Sequence, residues 1–81
     1  MGMPIITVNL HGMYQDEAIK EIERAINSAD SSTYHIQLIH GFNRGTSLKN
    51  MILSEYKHDN RIKRVMPGDN LGVTVLVLRE L

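Results

Sequence analysis

Apolar and polar residues alternate near the start of the chain, over residues 5–11. In an extended strand, one side would carry Ile6, Val8 and Leu10, and the other side would carry Thr7, Asn9 and His11. This period of two predicts a β-strand whose even-numbered side faces the core. Gly12 then permits a turn, and over residues 14–29 the apolar residues recur at a spacing of three and four. That spacing predicts an amphipathic helix.

The rest of the chain repeats these two patterns. Residues 34–39 alternate again and predict a second strand, and residues 62–66 predict a short third strand. Between them, a second helix is indicated by an apolar stripe at Leu48, Met51, Ile52 and Tyr56. Residues 73–78 are apolar on both faces, which predicts a last strand inside the sheet and not at its edge.

The order of elements is therefore strand, helix, strand, helix, strand, strand, which indicates an α/β fold. A right-handed crossover through the first helix makes the first two strands parallel, so their carboxyl ends lie at the same edge of the sheet. Ligands of open α/β sheets usually bind at that edge. The 81 residues contain no linker or low-complexity segment, and we expect one domain spanning residues 1–81.

Composition narrows the classes of function. The chain has no cysteine, which excludes disulfides, zinc–thiolate sites and thiol nucleophiles. No apolar run approaches the ~20 residues of a membrane span, so we expect a cytoplasmic protein with no membrane partner. The net charge is zero, but residues 1–30 carry five acids and two bases, whereas residues 31–66 carry six bases and two acids. The basic half is either a phosphate-binding patch or a solvated face.

Two short motifs follow the first two predicted strands. Asn9-Leu10-His11-Gly12 ends the first strand, and His40-Gly41-Phe42-Asn43-Arg44-Gly45 follows the second. Glycines permit backbone angles that other residues avoid, and the following helix offers N–H groups to an anion. Because both motifs lie at the carboxyl ends of parallel strands, we expect them to converge on one site.

The residues of these motifs allow phosphodiester chemistry. His11 and His40 can serve as general base and general acid, and Arg44 or Lys49 can stabilise a phosphate. In the alternative interpretation, His40 closes the loop by a local hydrogen bond and His11 packs beside it. Phe42 either stacks on a base or anchors the loop. The histidines lack the spacing of metal ligands, so we expect no cofactor, and the sequence does not support a divalent cation.

With these motifs, the chain resembles the small MutS-related (Smr) domain family. The family pattern has Asp-Leu-His-Gly after the first strand, His-Gly-x-Gly-x-Gly after the second, and a Gly-Val-Thr-like last strand, which here reads Gly72-Val73-Thr74. The resemblance covers essentially the whole chain. It implies a two-layer α/β sandwich (α+β) with a four-stranded mixed sheet and two helices. It also implies binding of RNA or DNA and, in several members, endonuclease activity.

The motifs, the basic stretch and the resemblance together predict roles for individual positions. The catalytic candidates are His11, Asn9 and His40. The predicted nucleic-acid contacts are Gly12, His40, Gly41, Phe42, Asn43, Arg44, Gly45, Lys49, Arg61, Lys63 and Arg64. Asn9 stands where the family has aspartate, and an amide cannot take a proton as a carboxylate does. Asn43 replaces the middle glycine, a milder change because asparagine tolerates positive φ.

These observations lead to one hypothesis and two alternatives. The first is a nucleic-acid-binding domain for structured RNA or branched DNA, with cleavage weak or lost because of Asn9. The alternatives are an active endonuclease using His11 and His40, and a module that binds a protein or a small phosphorylated ligand. The ribosome or a larger MutS-like chain is an expected partner. Whether the protein is an enzyme, and its oligomeric state, stay open at this point.

Overall fold

The protein is described by a computed structural model, which covers residues 4–42 and 46–80. Its elements are β1 (Ile5–Asn9), α1 (Gln15–Ser28), β2 (His35–Ile39), α2 (Thr46–Tyr56), β3 (Arg64–Pro67) and β4 (Val73–Val77). The predicted order of strands and helices is confirmed. None of the helices in the described ranges is long and apolar enough to cross a membrane.

The four strands form one mixed sheet in the order β1-β2-β4-β3. β1 and β2 are parallel neighbours, with Asn9 paired to Ile39. β4 is antiparallel to both β2 and β3, so it lies inside the sheet as its apolar sequence predicts. The carboxyl ends of β1 and β2 therefore lie at the same edge as the amino end of β4, which we call the upper edge.

The core lies between the sheet and the two helices. Alternate residues of the strands are turned to this side, and the helices contribute one face each. Its fully buried large side chains are Leu10, Ile22, Ile36, Leu38, Ile52 and Leu76. Because one layer of helices covers one face of the sheet, the molecule is the two-layer α/β sandwich that the resemblance implies.

The first helix begins where the backbone of Tyr14 is fixed from two directions. The Tyr14 carbonyl accepts the Ala18 N–H at 2.9 Å, and the Tyr14 N–H donates to the Glu17 carboxylate at 3.0 Å. Asp16 and Glu17 also suit the positive end of the helix dipole. The loop between β1 and α1 is thereby held at the upper edge of the sheet.

Candidate nucleic-acid interface

The turn after β1 is built by Asn9 and Gly12. The Asn9 side-chain oxygen accepts the His11 backbone N–H at 3.0 Å, and Gly12 has a φ of 82°. These two features end the strand at Asn9, two residues earlier than the alternation of residues 5–11 predicts. The turn leaves the side chains of Asn9 and His11 exposed at the upper edge.

His40 follows β2 and is buried, with 2% of its surface exposed. Its Nδ1 lies 3.0 Å from the Gly41 carbonyl oxygen, and its Nε2 lies 2.9 Å from the Thr74 hydroxyl. A carbonyl only accepts, so Nδ1 carries a proton and donates, and in the neutral ring Nε2 accepts the Thr74 O–H. Both ring nitrogens are thus used inside the fold, which favours the interpretation of His40 as the residue that closes the loop.

Gly41 joins the two motifs by close packing. Its φ is 90°, and a Cβ atom placed on it would lie 2.6 Å from His11 Cδ2. On its other side, a Cβ on Gly72 would lie 3.3 Å from the Gly41 backbone. The Gly72 carbonyl accepts the N–H groups of both His40 and Gly41. The expected convergence of the two motifs is therefore met for His11, His40 and Gly41.

A cleft of about 800 Å³ opens where the β1–α1 loop meets the segment after β2. It is lined by His11, Gly12, Met13, Tyr14, His40, Gly41, Phe42 and Leu48. Tyr14 is 78% exposed and Phe42 is 60% exposed. The cleft thus combines one exposed imidazole with two exposed aromatic rings. Tyr14 lies outside both motifs, and its only sequence signal is its position two residues after Gly12.

Phe42 also lines a smaller cavity of about 260 Å³. The lining of this cavity includes Thr46, Lys49 and Asn50 of α2. Lys49 is exposed and has no ion-pair partner among residues 4–42 and 46–80. Asn43, Arg44 and Gly45, which the sequence predicts as phosphate contacts, lie outside the described residues. Lys49 therefore supplies the positive charge that the structure describes at the upper edge.

The predicted contacts Arg61, Lys63 and Arg64 are not at the upper edge. Arg64 pairs with Val77, which pairs with His35 at the amino end of β2. About 13 Å of strand separates this end of the sheet from the upper edge. Because β3 runs parallel to β1 and β2 and begins at the opposite edge, the structure places this basic stretch away from the two motifs.

Two of these cations already have partners within the chain. Arg61 bonds Glu23 of α1 at 2.9 Å and Asp59 at 2.8 Å, and Arg64 bonds Glu80 at 3.1 Å. The hydrogen bonds from Arg61 hold the pKa of Asp59 at about 2 and lower the pKa of Glu23. Arg61 thus links α1 to the loop before β3, which is a structural role.

The chemistry of metal binding has no support in the described residues. Within residues 4–42 and 46–80, no group of three or more histidine, aspartate or glutamate side chains is close enough to hold an ion. Asn9 offers an amide and not a carboxylate at the one motif position where the family pattern has an acid. The site is therefore described by hydrogen bonding, charge and aromatic surface.

Comparison with known proteins decides the family. The family model of the Smr domain matches residues 8–79. The chain belongs to the Smr domain family. Its structure is similar to the crystal structure of the Smr domain of Thermus thermophilus MutS2, with a TM-score of 0.81 and 28% sequence identity over 93% of this chain and 99% of that one. A comparison with curated proteins gives no significant match.

In this Smr domain, asparagine stands at position 9 where the family pattern has aspartate, and this difference preserves the turn. The Asn9 oxygen that accepts the His11 N–H makes a bond that either aspartate oxygen can also make. The change falls on the other atom of the group, which is an amide donor here and would be a second carboxylate oxygen in aspartate. The geometry of the motif is kept, while position 9 loses the capacity to accept a proton.

Proposed function

We propose that this Smr domain binds nucleic acid at its upper edge, through His11, Gly41, Phe42 and Lys49, and cleaves it slowly or not at all. The observation that carries the proposal is the packing of His11 against Gly41, which joins the two motifs of a nucleic-acid-binding and nuclease family into one exposed surface. Arg44 is part of the proposal by its place in the second sequence motif. RNA is slightly preferred to DNA as the ligand.

The charges support binding to the phosphate backbone. Lys49 lies beside Phe42 at the cavity on the α2 side, and Asn9 can donate a hydrogen bond to an anion through its amide group. In contrast, an aspartate at position 9 would repel a phosphate when ionised. The amide at position 9 therefore favours binding of the phosphate backbone over its cleavage. A larger MutS-like chain or the ribosome as the setting of this domain stays a prediction.

Binding should show the salt dependence of a small number of phosphate contacts. With Lys49 and Arg44 as two contacts, the affinity for single-stranded RNA should fall about sevenfold between 50 and 200 mM salt, since each contact contributes a slope of about 0.7. Fluorescence anisotropy with labelled RNA and branched DNA measures this. Lys49→Gln should lower the slope by about 0.7. Lys63→Gln, at the opposite edge, is the matched control and should leave it unchanged.

Two outcomes would contradict this proposal. If Lys63→Gln lowers the slope and Lys49→Gln does not, the nucleic acid binds at the opposite edge. If no nucleic acid binds and a small phosphorylated ligand or a protein does, the third hypothesis from the sequence replaces the first.

A carboxylate at position 9 should restore cleavage. Asn9→Asp keeps the bond to the His11 N–H and adds a group that can accept a proton, and a positioned acid–base group contributes about 10²–10⁴-fold to rate. We expect Asn9→Asp to cleave labelled RNA at least about 10²-fold faster than the natural sequence. The double variant Asn9→Asp/His11→Ala is the control and should lose the gain. Equal and substantial cleavage by the natural chain and by Asn9→Asp would show an active endonuclease that does not need the carboxylate.

A further inference from the structure

The aromatic residues of this chain are divided between core and cleft. The chain has four: Tyr14, Tyr34, Phe42 and Tyr56. Tyr56 is 3% exposed and packs in the core, and Tyr34 is half-buried near the amino end of β2. The two exposed rings, Tyr14 and Phe42, both line the cleft at the upper edge. Their exposure is confined to the one surface where the two motifs meet.

The backbone groups of Tyr14 are hydrogen-bonded within the fold, whereas its ring is exposed. The Tyr14 carbonyl and N–H begin α1 through Ala18 and Glu17, and neither bond involves the phenol. A ring that is 78% exposed contributes little to the core, so the packing of the domain does not account for an aromatic residue at this position.

Phe42 is placed by the residues around it. Gly41, at a φ of 90°, turns the chain outward, and the bonds from the His40 and Gly41 N–H groups to Gly72 hold the preceding backbone in the sheet. The ring is 60% exposed, which excludes the interpretation of Phe42 as a buried loop anchor. It lines both the cleft that holds His11 and Tyr14 and the cavity that holds Lys49.

The two cavities that Phe42 lines suit the two parts of a nucleotide. The cleft is lined by rings and by Met13 and Leu48, whereas the cavity on the α2 side is lined by Leu71 and by the cationic residue Lys49. Asp16 and Glu17 lie in the first turn of α1, close to Tyr14, and their negative charges disfavour a phosphate beside Tyr14. A base would therefore lie in the cleft and its phosphate toward α2. Base-paired nucleotides do not present their faces in this way, but unpaired ones do.

We infer that Tyr14 and Phe42 form a stacking site for unpaired bases, so that this domain selects single-stranded nucleic acid over a duplex. The inference rests on the proposed function and adds a substrate class to it. Tyr14 and Phe42 supply affinity through their ring faces, and Lys49 supplies it through charge. The two contributions are separable, because the first depends on the bases and the second on salt.

The test is the affinity for a single-stranded RNA decamer, for the same decamer with abasic positions and for its duplex, measured by fluorescence anisotropy at fixed salt. The natural chain should bind the base-bearing strand about 5- to 150-fold more tightly than the abasic strand. Tyr14→Leu and Phe42→Leu should each reduce that preference without changing the salt slope. Tyr14→Phe, which keeps the ring, should preserve it. A DNA decamer run in parallel shows whether the 2′-hydroxyl contributes.

Tyr34→Leu is the matched control, because it makes the same chemical change on a half-buried ring at the opposite edge, and it should keep the preference for bases. Circular dichroism checks that every variant is folded. Equal binding of base-bearing and abasic strands by the natural chain, or tighter binding of the duplex, would overturn the stacking site while the proposed function stands. Absence of binding to every nucleic acid would overturn both.

Discussion

Replacing Gly41 with alanine should lower the affinity for single-stranded RNA roughly tenfold or more, the effect of losing a hydrogen bond to a charged group. The new Cβ would lie 2.6 Å from His11 Cδ2, so the imidazole must leave its position against the loop. The alanine would also hold a φ of 90°, which costs about 1–3 kcal/mol in the free energy of unfolding. Urea unfolding and fluorescence anisotropy measure the two effects.

Gly12→Ala tests the backbone strain of a positive φ without displacing the His11 ring. Gly12 has a φ of 82°, close to that of Gly41, but a Cβ at Gly12 would have no neighbour within 4 Å. This variant should therefore lose a similar amount of stability while His11 stays in place, and its affinity for RNA should fall less than that of Gly41→Ala. If both variants lose the same affinity, the position of His11 against Gly41 does not matter for binding.

Replacing His40 with alanine should cause the largest loss of stability, about 2–4 kcal/mol in the free energy of unfolding. The ring is 2% exposed, and its removal would leave a cavity together with an unpaired Thr74 hydroxyl. Thr74→Val removes the partner and keeps the ring, so it should cost about 1–3 kcal/mol through the unpaired Nε2. Urea unfolding of both single variants and the double variant measures the coupling between the two side chains.

The result also decides the role of His40. If His40 positions the loop, Thr74→Val should bind RNA at a temperature where it is folded, and the losses in the two single variants should add to more than the loss in the double variant. A His40→Ala variant that is as stable as the natural chain would contradict the positioning role and return His40 to the acid–base hypothesis.

Much of the fold was predictable from the pattern of apolar residues. The alternation of β1 and β2, the helical stripes and the two apolar faces of β4 each predict one type of element. With a right-handed crossover through α1, they also predict that β1 and β2 run parallel and end at the same edge. The burial of His40 was also accessible, since His40 is in phase with Ile36 and Leu38 on the core side of β2.

Other features depend on the order of strands, which the residues alone do not determine. The bond between His40 and Thr74 requires β4 to lie beside β2, and several orders are compatible with the same alternation. The position of Arg64 follows from the antiparallel pairing of β3 with β4, which puts the basic stretch at the opposite edge. Charge counted along the chain therefore left open whether the basic half is a phosphate-binding patch or a solvated face, and the topology places the basic stretch and Lys49 at opposite edges.

The most direct test of the upper edge as the binding surface is an NMR titration of the ¹⁵N-labelled chain with a single-stranded RNA decamer. We expect the amide shifts to be confined to residues 9–14 and 40–50, with Lys63 and Arg64 unchanged. The same titration with a duplex should give smaller shifts at the same positions. Shifts centred on residues 61–64, or no shifts at His11 and Gly41 on saturation, would contradict binding at this edge.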